Sequence, residues 1–131
     1  MNDEQKKYLW HNKWVVKRGD QTFIKFAGLL WLAHQMGMES LESYPVREDY
    51  ENNLFVFEAT AKGRKIIGGA VREVKFSDQG DADPSNTGKM IIPHIRRMAS
   101  TRAMARVLRI YCGVGMTSYE ECNFSQNGDS G

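Results

Sequence analysis

Residues 89–113 read KMIIPHIRRMASTRAMARVLRIYCG, and this stretch decides the fold that we predict. Wound at about 100° per residue, its apolar side chains share one broad helical face; they are Ala103, Met104, Val107, Leu108, Ile110 and Tyr111. Pro93 suits the first turn of a helix, where its missing N–H costs nothing. Gly113 supplies a left-handed stop. The pattern predicts a long helix whose apolar face packs against the rest of the domain.

The same stretch is strongly basic. It holds six Lys and Arg residues and no Asp or Glu. By contrast, residues 1–88 hold 12 basic and 13 acidic residues, and residues 114–131 hold three acidic residues and no basic ones. The net charge of +2 therefore conceals a concentrated cationic surface. Such a surface is typical of a protein with a polyanionic partner.

Three arginines of this helix form a predicted stripe. Arg102, Arg106 and Arg109 stand at i, i+4 and i+7, so we expect their side chains together on the face opposite the apolar one. Neighbouring guanidiniums repel one another unless an anion lies across them. The alternative is a solvated face, or ion pairs with acidic residues elsewhere in the fold.

Length and composition favour one small domain. The chain has 131 residues, of which 41% are hydrophobic, enough for one core. It has no apolar run long enough to span a membrane, and its charged first residues do not resemble a signal peptide, so we expect a cytoplasmic or host-cell interior location and no secretion. Cys112 and Cys122 lack the partners of a zinc site and are expected to be reduced, with Cys112 in the core.

We expect three regions: an N-terminal helix or arm (1–12), a core domain (13–113) and a partly disordered tail (114–131). Within these regions the predicted elements, in chain order, are a helix to Trp10, a strand at 14–16, a buried helix at 26–36, an edge strand at 40–48, a strand at 54–61, a turn at 62–64, a return strand at 65–76 with a bulge at Gly68-Gly69, and a polar loop at 77–88. This order predicts an α+β fold. An antiparallel meander of three or four strands packs against the long basic helix, and a buried helix precedes the sheet.

Catalytic and metal signals are weak. Asp78, Asp81 and Asp83 lack the closing Glu of an EF-hand, so a solvated loop is the favoured interpretation. Ser100 and Thr101 have no histidine base in spacing, and the glycines at 63, 68 and 69 are not followed by a phosphate-loop GK[ST]. We therefore expect no enzyme activity, no cofactor and no metal.

Two segments carry a resemblance to a known family. Residues 23–37, FIKFAGLLWLAHQMG, and residues 101–111, TRAMARVLRIY, resemble the two helical motifs of the single-strand annealing proteins of the Rad-fifty-two type, including their phage and archaeal relatives. A hairpin with a glycine-containing turn lies between them, as in the family. The resemblance covers about residues 13 to 113. It implies single-stranded DNA binding and annealing of complementary strands in recombination and repair, by an oligomeric ring or helical assembly.

The resemblance also implies a set of contact residues. Arg106 and Arg109 match the family's phosphate-binding pair, while the family's lysine beside the first of them is Ala105 here, which would move that contact to Arg102. Phe23 matches an aromatic residue of the family that carries a hydroxyl, which Phe23 lacks. Lys13 matches an arginine of the family and lacks the forked guanidinium that binds in a bidentate way.

Other basic residues complete the predicted site. They are Arg96 and Arg97 on the helix, and Lys65, Arg72 and Lys75 on the hairpin as the opposite wall of a groove. For the neighbouring Lys62 and Arg64, turn solubility is the favoured interpretation. The expected partners are single-stranded DNA, further copies of the chain, and a recombinase or single-strand-binding protein.

Two other classes stay open. A double-stranded-RNA-binding module has a similar order of elements, although its Lys-rich signature is missing. A small metal-dependent nuclease would require Glu58, Glu73 and the aspartate-rich loop to converge on a metal. Duplex RNA preference would favour the first class, and Mg²⁺-dependent cleavage the second.

Overall fold

The long basic helix packs across one face of a three-stranded sheet. The computed structural model describes residues 1–115 and 117–119. In chain order the elements are α1 (Asp3–His11), β1 (Val15–Arg18), β2 (Gln21–Ile24), α2 (Phe26–Gln35), β3 (Met38–Asp49), β4 (Leu54–Ile67), β5 (Ala70–Ala82), a 3-10 helix (Lys89–His94), α3 (Ile95–Cys112) and β6 (Thr117–Ser118). The predicted α+β class is confirmed.

The main sheet is an antiparallel meander in the order β3-β4-β5. Residues of β4 that face α3 alternate with residues on the uncovered face, and Phe55, Phe57, Ala59 and Ala61 are buried against the helix. On the other side α3 contacts α2, whose Leu29 and Leu32 are fully buried. The core therefore lies around α3, between the main sheet and α2.

The smaller sheet has the order β1-β2-β6. β1 and β2 form the hairpin before α2, and β6 pairs with β2 in the parallel direction, with Ile24 opposite Ser118. The sequence did not predict β6, because a two-residue strand carries no periodicity. Residues 116 and 120–131, which include Cys122 and most of the predicted disordered tail, lie outside the described residues.

The predicted position of the β4–β5 turn is wrong. Gly63 lies inside β4, and the turn is Gly68-Gly69, where both residues have positive φ (61° and 81°). A two-residue hairpin turn of this kind requires two left-handed residues, which consecutive glycines supply without strain. Gly63 is needed for another reason, since a Cβ there would collide with the Tyr111 hydroxyl and the Gly37 carbonyl.

The predicted polar loop is also shorter than expected. β5 continues to Ala82, so only residues 83–88 connect it to the 3-10 helix. Gly80 allows this extension because its bare Cα faces the backbone of Ala103 on α3.

The ends of the basic helix are defined by its flanking residues. Pro93 lies in the 3-10 helix ahead of α3 and not in its first turn. Gly113 ends α3 in the left-handed conformation, with φ of 67°, as predicted. No helix in the part of the chain that the structure describes has the length and hydropathy needed to cross a bilayer.

Candidate nucleic-acid interface

Arg102 is buried and binds the loop after β5. It is 4% exposed, and its Nη1 donates to the backbone oxygen of Asp81 at 3.0 Å and to Oδ1 of Asn86 at 2.8 Å. Nη2 donates to the backbone oxygen of Asn86 at 2.8 Å. The prediction that Arg102 lies on an exposed stripe is wrong. Its burial is tolerated because both terminal nitrogens donate to these oxygens, and the guanidinium is turned into the protein and not toward a phosphate.

Arg106 lies one helical turn further along and binds the outer edge of β5. Its Nη1 donates to the backbone oxygen of Gln79 at 3.0 Å and lies 3.6 Å from Oδ1 of Asp81. Four residues of helix rise about 6 Å and two residues of strand about 6.6 Å. Arginines four apart on α3 therefore reach carbonyls two apart on β5. The Arg106 side chain is 38% exposed, so its bond to Asp81 is open to competition from other anions.

Arg109 is half-buried on the following turn of α3. Together with Arg106, Asp78, Ile110 and Val114 it lines a shallow cavity of about 330 Å³. Two guanidiniums and one carboxylate leave this cavity with a net positive charge. The structure thus brings together the two arginines that the resemblance assigns to phosphates, and separates Arg102 from them.

The two arginines in the first turn of α3 differ in environment. Nε of Arg96 donates to Oε2 of Glu48 at 2.7 Å, and the Arg96 guanidinium lies over the Phe57 ring at 5.0 Å from its centroid. This hydrogen bond lowers the pKa of the Glu48 carboxyl and raises the pKa of Arg96. Arg97 is exposed. Arg96 therefore ties α3 to β3, and Arg97 is the more accessible of the two to a ligand.

Lys65 caps the C-terminal end of α3. Its Nζ donates to the backbone oxygen of Tyr111 and lies 4.3 Å from the centroid of the Tyr111 ring. A cation at this end of a helix is favoured by the helix dipole, and the ring face adds a cation–π contribution. Lys65, predicted as part of a groove wall, thus binds the helix itself.

Arg72 and Lys75 are exposed on β5, in register with Lys65 and Lys62 of β4. The Lys62–Lys75 pair lies on the sheet face that α3 does not cover, beside a cavity of about 600 Å³ that Arg64 also lines. Like charges directly opposite each other in a sheet repel. Glu39 and Glu73, which also line the cavity, offset part of that repulsion.

Lys13 and Phe23 belong to the region of the smaller sheet. Lys13 is exposed and adopts a left-handed conformation, with φ of 60°, at the end of α1. Glycine is the usual residue at such a helix end. Phe23 is 4% exposed in β2, so it packs in the interior and has no ring face available for stacking.

The sequence pattern did not predict that aspartates would lie beside the arginines of α3. Asp81 and Asp78, interpreted from the sequence as part of a solvated loop, lie on β5 beside Arg106 and Arg109. The pKa of the Asp83 carboxyl is lowered, first by its hydrogen bond to Ser85 and also by Arg102. One feature of the sequence does indicate this contact. An aspartate-rich segment precedes a basic helix that has no acidic residues, so the two are complementary in charge.

Within 1–115 and 117–119, no three His, Cys, Asp or Glu side chains are grouped so that they would hold a metal ion. Cys112 is 4% exposed, as expected for a core residue. Burial raises the pKa of its thiol to about 11, so the nucleophilic thiolate is scarce at neutral pH.

The sequence matches no protein-family model and no curated protein.

Proposed function

We propose that this chain binds the phosphate backbone of single-stranded DNA and, as an oligomer, anneals complementary strands in recombination and repair. The observation that carries the proposal is the pair Arg106 and Arg109, which line one positively charged cavity at the surface of α3. A rigid helix holds both guanidiniums at a fixed separation. Guanidiniums are well suited to phosphate because their forked donors match its oxygens.

The chemistry of annealing requires this kind of binding. Two strands find each other by testing base pairs, so a protein that promotes pairing must hold phosphates and leave the base edges free. Neighbouring copies of the chain in a ring or filament would present the arginine pair at regular intervals along the strand. Many weak interactions then add up to an affinity that one short site does not reach.

The order of elements supports the same proposal. The two segments that resemble the annealing proteins form α2 and part of α3, and a hairpin with a glycine turn lies between them. In this proposal a phosphate oxygen replaces the Asp81 carboxylate, which lies 3.6 Å from Nη1 of Arg106. Both partners of that ion pair are partly exposed, so the pair contributes little stability and is replaceable.

The test is the double variant Arg106→Ala/Arg109→Ala in a metal-free assay of oligonucleotide annealing. Removing each arginine–phosphate hydrogen bond is expected to cost about 1 kcal/mol per subunit, and the annealing rate is expected to fall more than tenfold because the change is repeated in every copy. The matched control is Lys17→Ala/Arg47→Ala, which removes two exposed charges elsewhere. The control should anneal within about twofold of the wild type.

Native mass measurement of the same proteins, with and without single-stranded DNA, separates the remaining explanations. We expect a multimer for the wild type and for both variants. A wild-type chain that stays monomeric in both conditions, or a double variant that anneals like the wild type, contradicts the proposal. If the double variant unfolds, the arginines act mainly as structural partners of β5.

A further inference from the structure

The distal part of the β4–β5 hairpin, residues 62–75, forms an arm that extends past α3. The strands pair without interruption up to Ile67 opposite Ala70, and Gly68-Gly69 closes the tip. Gly63 is the last β4 residue buried against α3. Four further residues of strand reach about 13 Å beyond it. A Cβ added at Gly68 or Gly69 would meet no described atom within 4 Å, so the tip stands clear of the rest of the described chain.

The tip of the arm is apolar although it is exposed. Ile66 and Val71 are directly opposite each other on neighbouring strands and are 76% and 68% exposed; Ile67 is 49% exposed. Exposed apolar groups that cluster in this way mark interaction sites. Ile and Val are also stiff at χ1, so the pair forms a wedge that gives up little rotamer freedom on binding.

Basic residues outnumber acidic residues along the arm. The arm holds five basic residues, Lys62, Arg64, Lys65, Arg72 and Lys75, and one acidic residue, Glu73. Lys65 donates to the backbone oxygen of Tyr111 in α3. Arg64 pairs with Glu39 at 3.2 Å, and both of these side chains are more than half exposed. The others are exposed on both faces of the ribbon, with Arg72 on the side of Lys65 and the Lys62–Lys75 pair on the other.

We infer that the arm is a nucleic-acid wedge, in which Ile66 and Val71 insert between adjacent bases while Lys62, Arg72 and Lys75 contact the flanking phosphates. This inference rests on the proposed function, since it takes single-stranded DNA as the partner. In minor-groove-binding proteins, aliphatic side chains insert between base steps of duplex DNA and partly unstack them. Arg72 lies on one face of the ribbon, next in the chain to Val71. Lys62 and Lys75 lie on the other face, about 13 Å from Ile66 and Val71, with Arg64 and Glu73 between the two pairs. Separating a base step leaves the Watson–Crick edges free for pairing.

The test uses single-stranded DNA that carries 2-aminopurine, whose fluorescence rises when it is unstacked. The variant is Ile66→Thr/Val71→Thr, which keeps β-branched residues in the strands and removes the apolar tip. The matched control is Met90→Thr, because Met90 is 77% exposed and lies outside the arm. We expect the wild type and the control to raise the fluorescence on binding. The variant should show little of that rise and bind about tenfold more weakly, as expected when two aliphatic side chains are no longer buried in the complex.

Three results would overturn the inference. The variant would show the full fluorescence rise if the tip does not insert. Loss of the multimer in DNA-free variant protein would make the tip an interface between copies of the chain. Binding of the wild type to anionic vesicles, abolished in the variant, would make it a membrane-binding site. If the wild type anneals strands but the tip variant matches it in every assay, only the wedge fails; if the wild type binds no single-stranded DNA, the proposed function fails with it.

Discussion

At the scale of single residues, Arg102 shows how a charged side chain serves as a core residue. The sequence places it in line with Arg106, yet the two differ because Arg102 reaches the closed loop 83–88 and Arg106 reaches an open strand edge. The buried guanidinium fixes this loop by donating to Asp81 and to Asn86. Arg102 therefore stabilises the fold.

We predict that Arg102→Ala lowers the free energy of unfolding by about 3 kcal/mol, because it leaves buried carbonyl groups without their donor. Urea unfolding followed by circular dichroism measures this change. Arg97→Ala is the control, since Arg97 is exposed in the same helix and its removal should change the free energy of unfolding by less than about 0.5 kcal/mol. An Arg102→Ala protein of wild-type stability with impaired DNA binding would instead assign Arg102 to the interface.

At the scale of elements, the close approach of α3 to β5 positions the candidate site. Gly80 faces the backbone of Arg102 and Ala103, with no side chain between strand and helix. This approach brings the arginines of α3 within reach of the β5 edge. The arginine pair lies on α3, and the proposed wedge lies on the hairpin of β4 and β5, the two strands against which α3 packs.

Gly80→Ala is expected to destabilise the protein by about 3 kcal/mol, since its Cβ would collide with the Ala103 backbone and force the helix away from the sheet. Thermal unfolding provides the measurement. Gly115→Ala is the matched control, because a Cβ there meets nothing within 4 Å. Equal melting temperatures for the two variants would show that helix and strand separate without cost.

At the scale of the whole molecule, charge is unevenly distributed. The net charge is only +2, but the arm and the first turn of α3 together expose six cations, which are Lys62, Arg64, Arg72, Lys75, Arg96 and Arg97. The aspartates of β5 lie beside Arg106 and Arg109. Binding to a polyanion then depends on local charge and on the release of its counterions.

Affinity for single-stranded DNA should accordingly fall steeply between about 50 mM and 200 mM salt and depend little on base sequence. For Arg106→Ala/Arg109→Ala, the slope of log K against log salt should decrease by about 0.7 for each phosphate that the variant no longer neutralises. Titrations of labelled oligonucleotides at several salt concentrations measure both quantities. An affinity that does not change with salt would exclude a phosphate-binding surface.

Several elements can be predicted from local patterns in the sequence. The long helix α3, its glycine stop, the buried α2 and the edge position of β3 all follow from spacing and turn chemistry, and each is confirmed. The predicted apolar face of α3 is wrong at Ile110, which is 45% exposed and lines the cavity with Arg106 and Arg109. The hairpin turn was misplaced because Gly63 and Gly68-Gly69 look equivalent in sequence. Only the packing of Tyr111 against Gly63 distinguishes a glycine required for space from one required for positive φ.

Which cations are buried and which are accessible depends on contacts between elements. Arg102, Arg106 and Arg109 are equivalent by helical spacing, but what lies opposite each one is set by the register between α3 and β5. Lys65 is likewise an ordinary hairpin lysine until the sheet brings it to the end of α3. Exposure and partners of a charge depend on interactions between residues far apart in the chain, and a periodic pattern within one element carries no information about them.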